Sequence, residues 1–113
     1  MTAFNLRNGN QLADNVTVAD NLFTRMKGLL GKNEMMQGEA LWIKPCTSVH
    51  TFGMKFPIDV IFLDRKKVVT ALIENMQRNR LTRLYLSAMS TLELPAGTIE
   101  KTDTKAGDEI EIS

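Results

Sequence analysis

The strongest constraint on the fold comes from six residues, Ile58–Leu63, which read IDVIFL. Five of them are apolar, whereas a strand with one face in water alternates apolar and polar side chains. The run is also far shorter than the ~20 residues that a membrane-spanning helix requires. It therefore predicts a strand in the centre of a sheet, with both of its faces covered by other parts of the chain.

Other short segments with strand character are separated by turn signals along the chain. Asn8-Gly9 predicts a tight hairpin turn within residues 4–18, and residues 64–67 lead into a returning strand. Further predicted strands cover residues 40–43, 68–73, 82–86, 91–94 and 109–112. Because parallel βαβ winding would need several crossover helices, the pattern favours a mainly β fold, an antiparallel β-sandwich or a partly closed barrel.

One amphipathic helix is predicted at about residues 20–30. Apolar side chains recur there with helical spacing at Leu22, Phe23, Met26, Leu29 and Leu30. We expect Asp20 to cap the helix and Gly31 to end it, and the apolar stripe to pack on the sheet. The sequence Pro-Ala-Gly also predicts a short helical turn near residues 95–101, since proline suits the first position of a helix.

The length of 113 residues, without an internal repeat or a linker, predicts one domain spanning residues 1–113. A net charge of +1 argues against nucleic-acid binding, and no apolar run is long enough for membrane insertion. Cys46 is the only cysteine, so no internal disulfide can form. The N-terminal residues lack a signal-peptide pattern, and we therefore expect a cytoplasmic location.

Charge is unevenly distributed along the second half of the chain. Residues 65–83 carry six basic residues and one acidic residue, for a net charge of +5, and residues 93–111 have a net charge of −4. The simpler interpretation is that the two segments form solvated faces, which attract each other or keep the protein in solution. The alternative is a basic patch for an anionic ligand or an acidic protein partner.

Cys46 and His50, the single cysteine and the single histidine, lie four residues apart. This spacing could place a thiol beside an imidazole, as a nucleophile or as two ligands of a metal. A catalytic metal site needs about three protein ligands, so Asp59 or Glu93 would have to complete it. We therefore predict no metal site and no cofactor, and favour a buried cysteine and a hydrogen-bonded histidine that brace an irregular loop at residues 46–56.

Asp59 interrupts the central apolar run on the same face as Ile61 and Leu63, where an ionised carboxylate needs a partner. Backbone N–H groups or a basic side chain such as Arg25 could supply it. A functional acid and a structural tie between loop and sheet fit this position equally well. For Arg25, beside the helical stripe, an ion pair with Asp59 or Glu93 is favoured over a contact with a ligand anion.

Apolar walls for a pocket could come from Met54 and the neighbouring Phe52 and Phe56, although core packing explains these residues equally well. Glu93 lies between Leu92 and Leu94 and is expected to point to the opposite face, where it would be exposed or paired.

Four segments in order resemble one known family. Residues 25–30 (RMKGLL) look like its R-x-x-G-L-[ML] motif, and residues 45–64 (PCTSVHTFGMKFPIDVIFLD) resemble its central block. Residues 92–97 (LELPAG) and 107–108 (GD) correspond to its later motifs. The chain is thereby identified as a member of the DUF192, or UPF0127, family. The resemblance implies a compact, mostly β domain with a short helix, and it implies no particular activity.

The leading hypothesis is a small non-catalytic binding module, with a cleft between the helix and the sheet for a small polar ligand or a peptide. The predicted ligand-binding residues are Arg25, Cys46, His50, Met54, Asp59 and Glu93. Two alternatives stay open. An enzyme would use His50 and Asp59 as acid and base, or Cys46 as nucleophile. An accessory subunit would dock to an acidic partner through the basic residues 65–83.

Overall fold

The protein is mainly β, with two sheets and two short helices. The computed structural model describes all residues from Met1 to Ser113. The elements in chain order are β1 (Ala3–Asn5), β2 (Gln11–Ala13), β3 (Asn15–Ala19), α1 (Leu22–Lys27), β4 (Glu39–Ile43), β5 (Ile58–Leu63), β6 (Val69–Met76), β7 (Ser90–Pro95), α2 (Thr98–Thr102) and β8 (Ile110–Ile112). A three-stranded sheet has the order β2-β1-β8 and a five-stranded sheet the order β3-β4-β7-β5-β6. The predicted mainly β class is confirmed, and the sheets do not close into a barrel.

Strand β5 lies inside the larger sheet, between β7 and β6, and all six of its residues are buried. Its side chains alternate between two hydrophobic cores, because successive residues of a strand point to opposite faces. Ile61 and Leu63 belong to one core, and Val60 and Phe62 belong to the other. The prediction of a strand covered on both faces is confirmed.

The two cores have different covers. The first core lies between the sheets, since it joins Ala3 and Ile110 of the small sheet to Leu92 of the large one. The second core is closed by connecting segments, which contribute Val49 and Met54. One face of the large sheet is therefore covered by irregular chain, and segments of this kind often carry binding sites on a rigid scaffold.

The connection from β3 to β4 departs from the antiparallel expectation. These two strands pair in parallel, with Asn15 opposite Glu39 and Ala19 opposite Ile43. A parallel pair needs a crossover, and helix α1 with residues 28–38 supplies a short one. The predicted hairpin near Asn8-Gly9 is present, since β1 and β2 pair in an antiparallel manner.

Helix α1 is shorter than predicted. Its N-cap is Asn21, not Asp20, and the Asn21 Oδ1 accepts a hydrogen bond of 2.9 Å from the Thr24 backbone N–H. The helix ends at Gly28, three residues before the predicted Gly31, with a positive φ of 48°. The early end leaves the helix too short to present the whole predicted stripe.

The apolar stripe of α1 does not pack on the sheet, contrary to the prediction. Leu22, Phe23 and Met26 are 67%, 74% and 67% exposed, whereas Leu29, just beyond the helix, is buried. Leu22 and Met26 instead border a cavity between the helix and the underlying core. Part of the predicted helical stripe therefore borders an open space instead of the core.

Residues 82–86 do not form the predicted strand. Leu84 and Leu86 are exposed, and the segment hydrogen-bonds to the neighbouring loop through the Tyr85 N–H and the Thr47 carbonyl. The Tyr85 ring stacks on Phe62 with 4.3 Å between ring centroids. The predicted short helical turn near residues 95–101 is present as α2. Neither helix has the length and apolar character that crossing a membrane would require.

Candidate functional site

A cavity of about 470 Å³ lies between α1, residues 45–50 and the covered face of the large sheet. Five of the six predicted ligand-binding residues line it, namely Arg25, Cys46, His50, Met54 and Glu93. Asp59 is absent from its lining. Its volume is within the range of ordinary small-molecule sites.

Glu93 is the only buried polar residue in the lining of the cavity. It lies in β7, opposite Leu41 of β4 and Val60 of β5, and is 4% exposed. No side chain or backbone group donates a hydrogen bond to its carboxyl, and it forms no ion pair. Burial without a partner raises the pKa of Glu93 to about 8. The expectation that Glu93 is exposed or paired is therefore wrong, although its predicted face is correct.

Arg25 projects from α1 toward the same cavity. Its Nη1 donates a hydrogen bond of 3.2 Å to the Pro45 carbonyl, while its Nε is buried without an acceptor. The expected ion pair with Asp59 or Glu93 is not formed. The Arg25 Nε is thus a buried polar atom without a partner, which costs about 1–3 kcal/mol, and the Glu93 carboxyl also has no partner within the chain.

Cys46 is half-buried at the cavity wall, where its Sγ donates a hydrogen bond of 3.1 Å to the Ser48 carbonyl. Burial raises the pKa of the Cys46 thiol, and the nearby charge of Glu93 raises it further, while Arg25 opposes this effect. The sulfur is therefore protonated at neutral pH, and it has no contact with an imidazole that could activate it.

His50 is exposed at the cavity rim. Its ring stacks against Phe52, with 5.5 Å between centroids, and makes no hydrogen bond, so the predicted bracing role of the imidazole is wrong. Thr51 braces this loop instead, since its Oγ1 donates to the Gln77 carbonyl at 2.6 Å and accepts from the Arg80 N–H at 2.9 Å. No three His, Cys, Asp or Glu side chains are grouped closely enough to hold a metal ion.

Met54 forms part of the buried wall of the cavity, together with Ile43 and Val49. Phe52 and Phe56 do not line the cavity, because Phe52 turns outward and stacks on His50. Ile43 and Val49 were not among the predicted site residues, since a buried aliphatic side chain in a pocket has the same sequence signature as one in a core.

Asp59 lies on the other face of the sheet, with Ile61 and Leu63 as predicted, and is fully buried. Its carboxylate accepts three backbone hydrogen bonds, from Asn75 at 2.8 Å, Gly97 at 3.1 Å and Ile99 at 2.8 Å. These contacts fit the interpretation of Asp59 as a structural tie and not as a functional acid. The sheet separates Asp59 from His50 and Arg25, so these three residues do not come together.

A second buried polar cluster lies away from the cavity, around Asp108 of the turn before β8. Asp108 accepts hydrogen bonds from Arg7 Nε at 2.7 Å, Asn5 Nδ2 at 2.8 Å and the Lys105 N–H at 2.8 Å. The hydrogen bond from Arg7, followed by that from Asn5, lowers the pKa of Asp108 to about 2 despite its burial. The bonds from Asn5 and Arg7 to Asp108 are made within the chain, so this cluster fastens β1 to the turn.

The basic residues of segment 65–83 form no ion pair with the acidic segment 93–111. The ion pairs of the chain are Arg7 with Asp103 and Asp108, Lys32 with Glu39, and Lys105 with Asp103. Arg83 lies over the Tyr85 ring, 4.9 Å from its centroid. The expected attraction between the two segments is therefore not made by direct contacts.

One relative is similar to this chain in sequence. A UPF0127 protein from Thermococcus sibiricus is 33% identical over 104 residues, which cover 85% of this chain and 64% of that protein. This chain thus spans less than two thirds of the relative's length.

Two crystal structures are similar in fold. A protein of unknown function from Novosphingobium aromaticivorans DSM 12444 has a TM-score of 0.83 at 19% identity, over 98% of this chain and 82% of that chain. A proposed transcription regulator from Sinorhizobium meliloti 1021 has a TM-score of 0.80 at 20% identity, over 97% and 89% of the two chains. At these identities the similarity shows the fold alone.

The family comparison covers almost the whole chain. The model of DUF192, described as "Uncharacterized ACR", matches residues 4–112. This match includes both sheets, both helices and every residue of the cavity. The chain therefore belongs to the DUF192 family.

Proposed function

We propose that this protein is a small binding module, which takes a small polar ligand or a peptide end into the cavity between α1 and the large sheet. The observation that carries the proposal is the buried Glu93 carboxyl, which lines the cavity without a hydrogen bond or an ion pair, with the unsatisfied Nε of Arg25 beside it. Buried polar groups are nearly always hydrogen-bonded, and exceptions call for an explanation. A ligand that supplies both partners is such an explanation.

The remaining lining supports the same function. Buried aliphatic side chains surround the two polar groups, and this combination is typical of small-molecule sites. Helix α1 has no buried residue, so that its position over the cavity is not fixed by core packing. An element held this weakly can adjust to a ligand at low cost in stability.

The catalytic alternative has less support. A cysteine nucleophile needs a base or a lowered pKa, and Cys46 has neither. An acid–base pair of His50 and Asp59 would have to act through the sheet. The docking alternative rests on the exposed charges of segment 65–83, and none of these residues lines the cavity.

The proposal is tested by a small-molecule fragment screen, in which backbone amide NMR shifts of the protein report where each fragment binds. We expect hits to shift the amides of α1 and residues 45–50. The Leu22→Gln variant should weaken such a hit about 3- to 10-fold, because it replaces part of the apolar wall.

The matched control is Phe23→Gln, since Phe23 is equally exposed on the same helix but does not line the cavity. It should leave affinity unchanged. Hits that are absent from the cavity, or that both variants weaken equally, would count against the proposal.

A further inference from the structure

We propose, on the basis of the binding function above, that the ligand is a small organic amine that also carries an oxygen acceptor, a compound of the amino-acid type. Its ammonium group would pair with the Glu93 carboxylate, and its oxygen would accept from the Arg25 Nε. Its apolar part would lie against Ile43, Val49 and Met54.

The position of Glu93 decides where its partner must come from. Strand β7 is paired with β4 on one side and with β5 on the other, so the surrounding backbone N–H groups are used in the sheet. The neighbouring residues across the two ladders, Leu41 and Val60, are apolar. A donor can reach the Glu93 carboxyl only from the cavity.

No donor of the protein fills that role. Arg25, Lys27 and His50 line the cavity, yet none of them forms an ion pair or a hydrogen bond with Glu93. A carboxylate in an apolar environment gains most from a cation that brings both charge and hydrogen bonds. An ammonium group supplies both.

Arg25 defines a second anchor at the other wall of the cavity. The bond from its Nη1 to the Pro45 carbonyl holds the guanidinium in place, and its Nε remains unpaired and buried. The partner it lacks is an acceptor. A carboxylate or carbonyl oxygen on the same ligand would satisfy it and would distinguish an amino acid from a simple amine.

The same residues could instead bind a ligand of opposite charge, a carboxylic acid. The pH dependence of ligand affinity distinguishes the two. A simple carboxylic acid could bind Arg25 and a protonated Glu93. An ammonium ligand requires Glu93 to lose its proton, so its affinity should rise with pH until the carboxyl is ionised. A carboxylate ligand without an amine should lose affinity over the same range.

The experiment uses three probes of one shape, leucine, isopentylamine and isovalerate, titrated into the protein by NMR between pH 6 and pH 8.5. We expect leucine to bind most tightly and isopentylamine next. The affinity of both should rise by up to roughly tenfold per pH unit below the pKa of Glu93. Glu93→Gln should weaken both amines at least tenfold and abolish the pH dependence. Arg25→Gln should weaken leucine relative to isopentylamine, which has no oxygen to accept a hydrogen bond from Arg25.

Separate variants serve as controls for the other titratable and charged groups of the cavity. His50→Gln and Cys46→Ser remove the imidazole and the thiol, and Lys27→Gln removes the neighbouring ammonium. Each should retain the rise in amine affinity with pH. A pH dependence that disappears in His50→Gln instead of Glu93→Gln would overturn the assignment to Glu93.

Failure of this inference differs from failure of the binding function. If isovalerate binds better than both amines, or if neither amine binds while other fragments occupy the cavity, the amine inference is wrong and the binding function stands. If no fragment and no probe shifts the cavity amides, both are wrong.

Discussion

At the scale of single residues, two buried carboxyl groups of the large sheet differ entirely in their surroundings. Asp59 and Glu93 are in neighbouring strands but point to opposite faces. Asp59 accepts three backbone hydrogen bonds, while Glu93 accepts none. The first carboxyl therefore fastens the fold, and the second lines the cavity without a partner in the chain.

Glu93 should make the stability of the protein depend on pH. Its pKa is raised to about 8 in the fold, from an ordinary value of 4.5, so the folded state binds more protons than the unfolded state between these pH values. Its contribution is most favourable below pH 4.5 and is lost as pH rises to about 8, by at most about 1.4 kcal/mol per pH unit.

Urea unfolding of the wild type and Glu93→Gln at several pH values measures this effect. We expect the variant to gain stability relative to the wild type as pH rises from 5 to 8. Glu100→Gln, at an exposed position of α2, is the matched control and should follow the wild type. Parallel profiles for the wild type and Glu93→Gln would show that the carboxyl is solvated or paired.

At the scale of elements, α1 is a helix fixed by its cap and not by its apolar side chains. The Asn21 side chain accepts from the Thr24 N–H, and the Thr24 Oγ1 accepts from the Asn21 N–H at 3.3 Å. This reciprocal arrangement is a capping box. A helix of six residues without buried side chains depends on such local bonds.

Removal of the cap should therefore loosen α1 without unfolding the protein. Asn21→Ala is expected to cost about 1 kcal/mol of local helix stability. Amide hydrogen exchange in α1 should become several times faster, while exchange in β5 stays unchanged. Asn21→Asp keeps an acceptor at the cap and should behave like the wild type. Equal acceleration throughout the chain would show that the helix is part of the cooperative core.

The predicted strand at residues 82–86 and the predicted stripe of α1 were wrong for the same reason. Alternating or periodic apolar side chains predict an element that buries one face, but burial requires an unoccupied surface to pack on. The Pro45–Met54 region covers part of that face of the sheet, through Val49 and Met54, and α1 lies above the cavity that remains. Leu22 and Leu84 accordingly remain exposed.

At the scale of the whole molecule, the two sides of the large sheet differ, since one packs against the small sheet and the other borders the cavity. On the side of the small sheet, the carboxylate of Asp59 connects β5 to β6 and to the start of α2. Changes on one side should therefore leave the properties of the other largely intact.

Asp59→Asn tests this division. Only one oxygen of the new amide can accept, so donors at Gly97 and Ile99 or at Asn75 lose their partner, and a loss of about 2–4 kcal/mol in unfolding free energy is expected. Affinity for a cavity ligand should not change while the protein is folded. Glu74→Gln, an exposed change on β6, serves as the control for stability. An Asp59→Asn variant that folds but no longer binds a cavity ligand would show that Asp59 belongs to the binding site.

The sequence by itself determined the covered central strand, the hairpin at Asn8-Gly9 and the family. An unbroken apolar run such as Ile58–Leu63 has one stable location, and a turn depends on residues next to one another. Only the tertiary structure decided that β3 and β4 are parallel, that α1 borders a cavity, and that Glu93 rather than Asp59 faces it. These features depend on which distant segments cover each face of the sheet, and no local pattern encodes that choice.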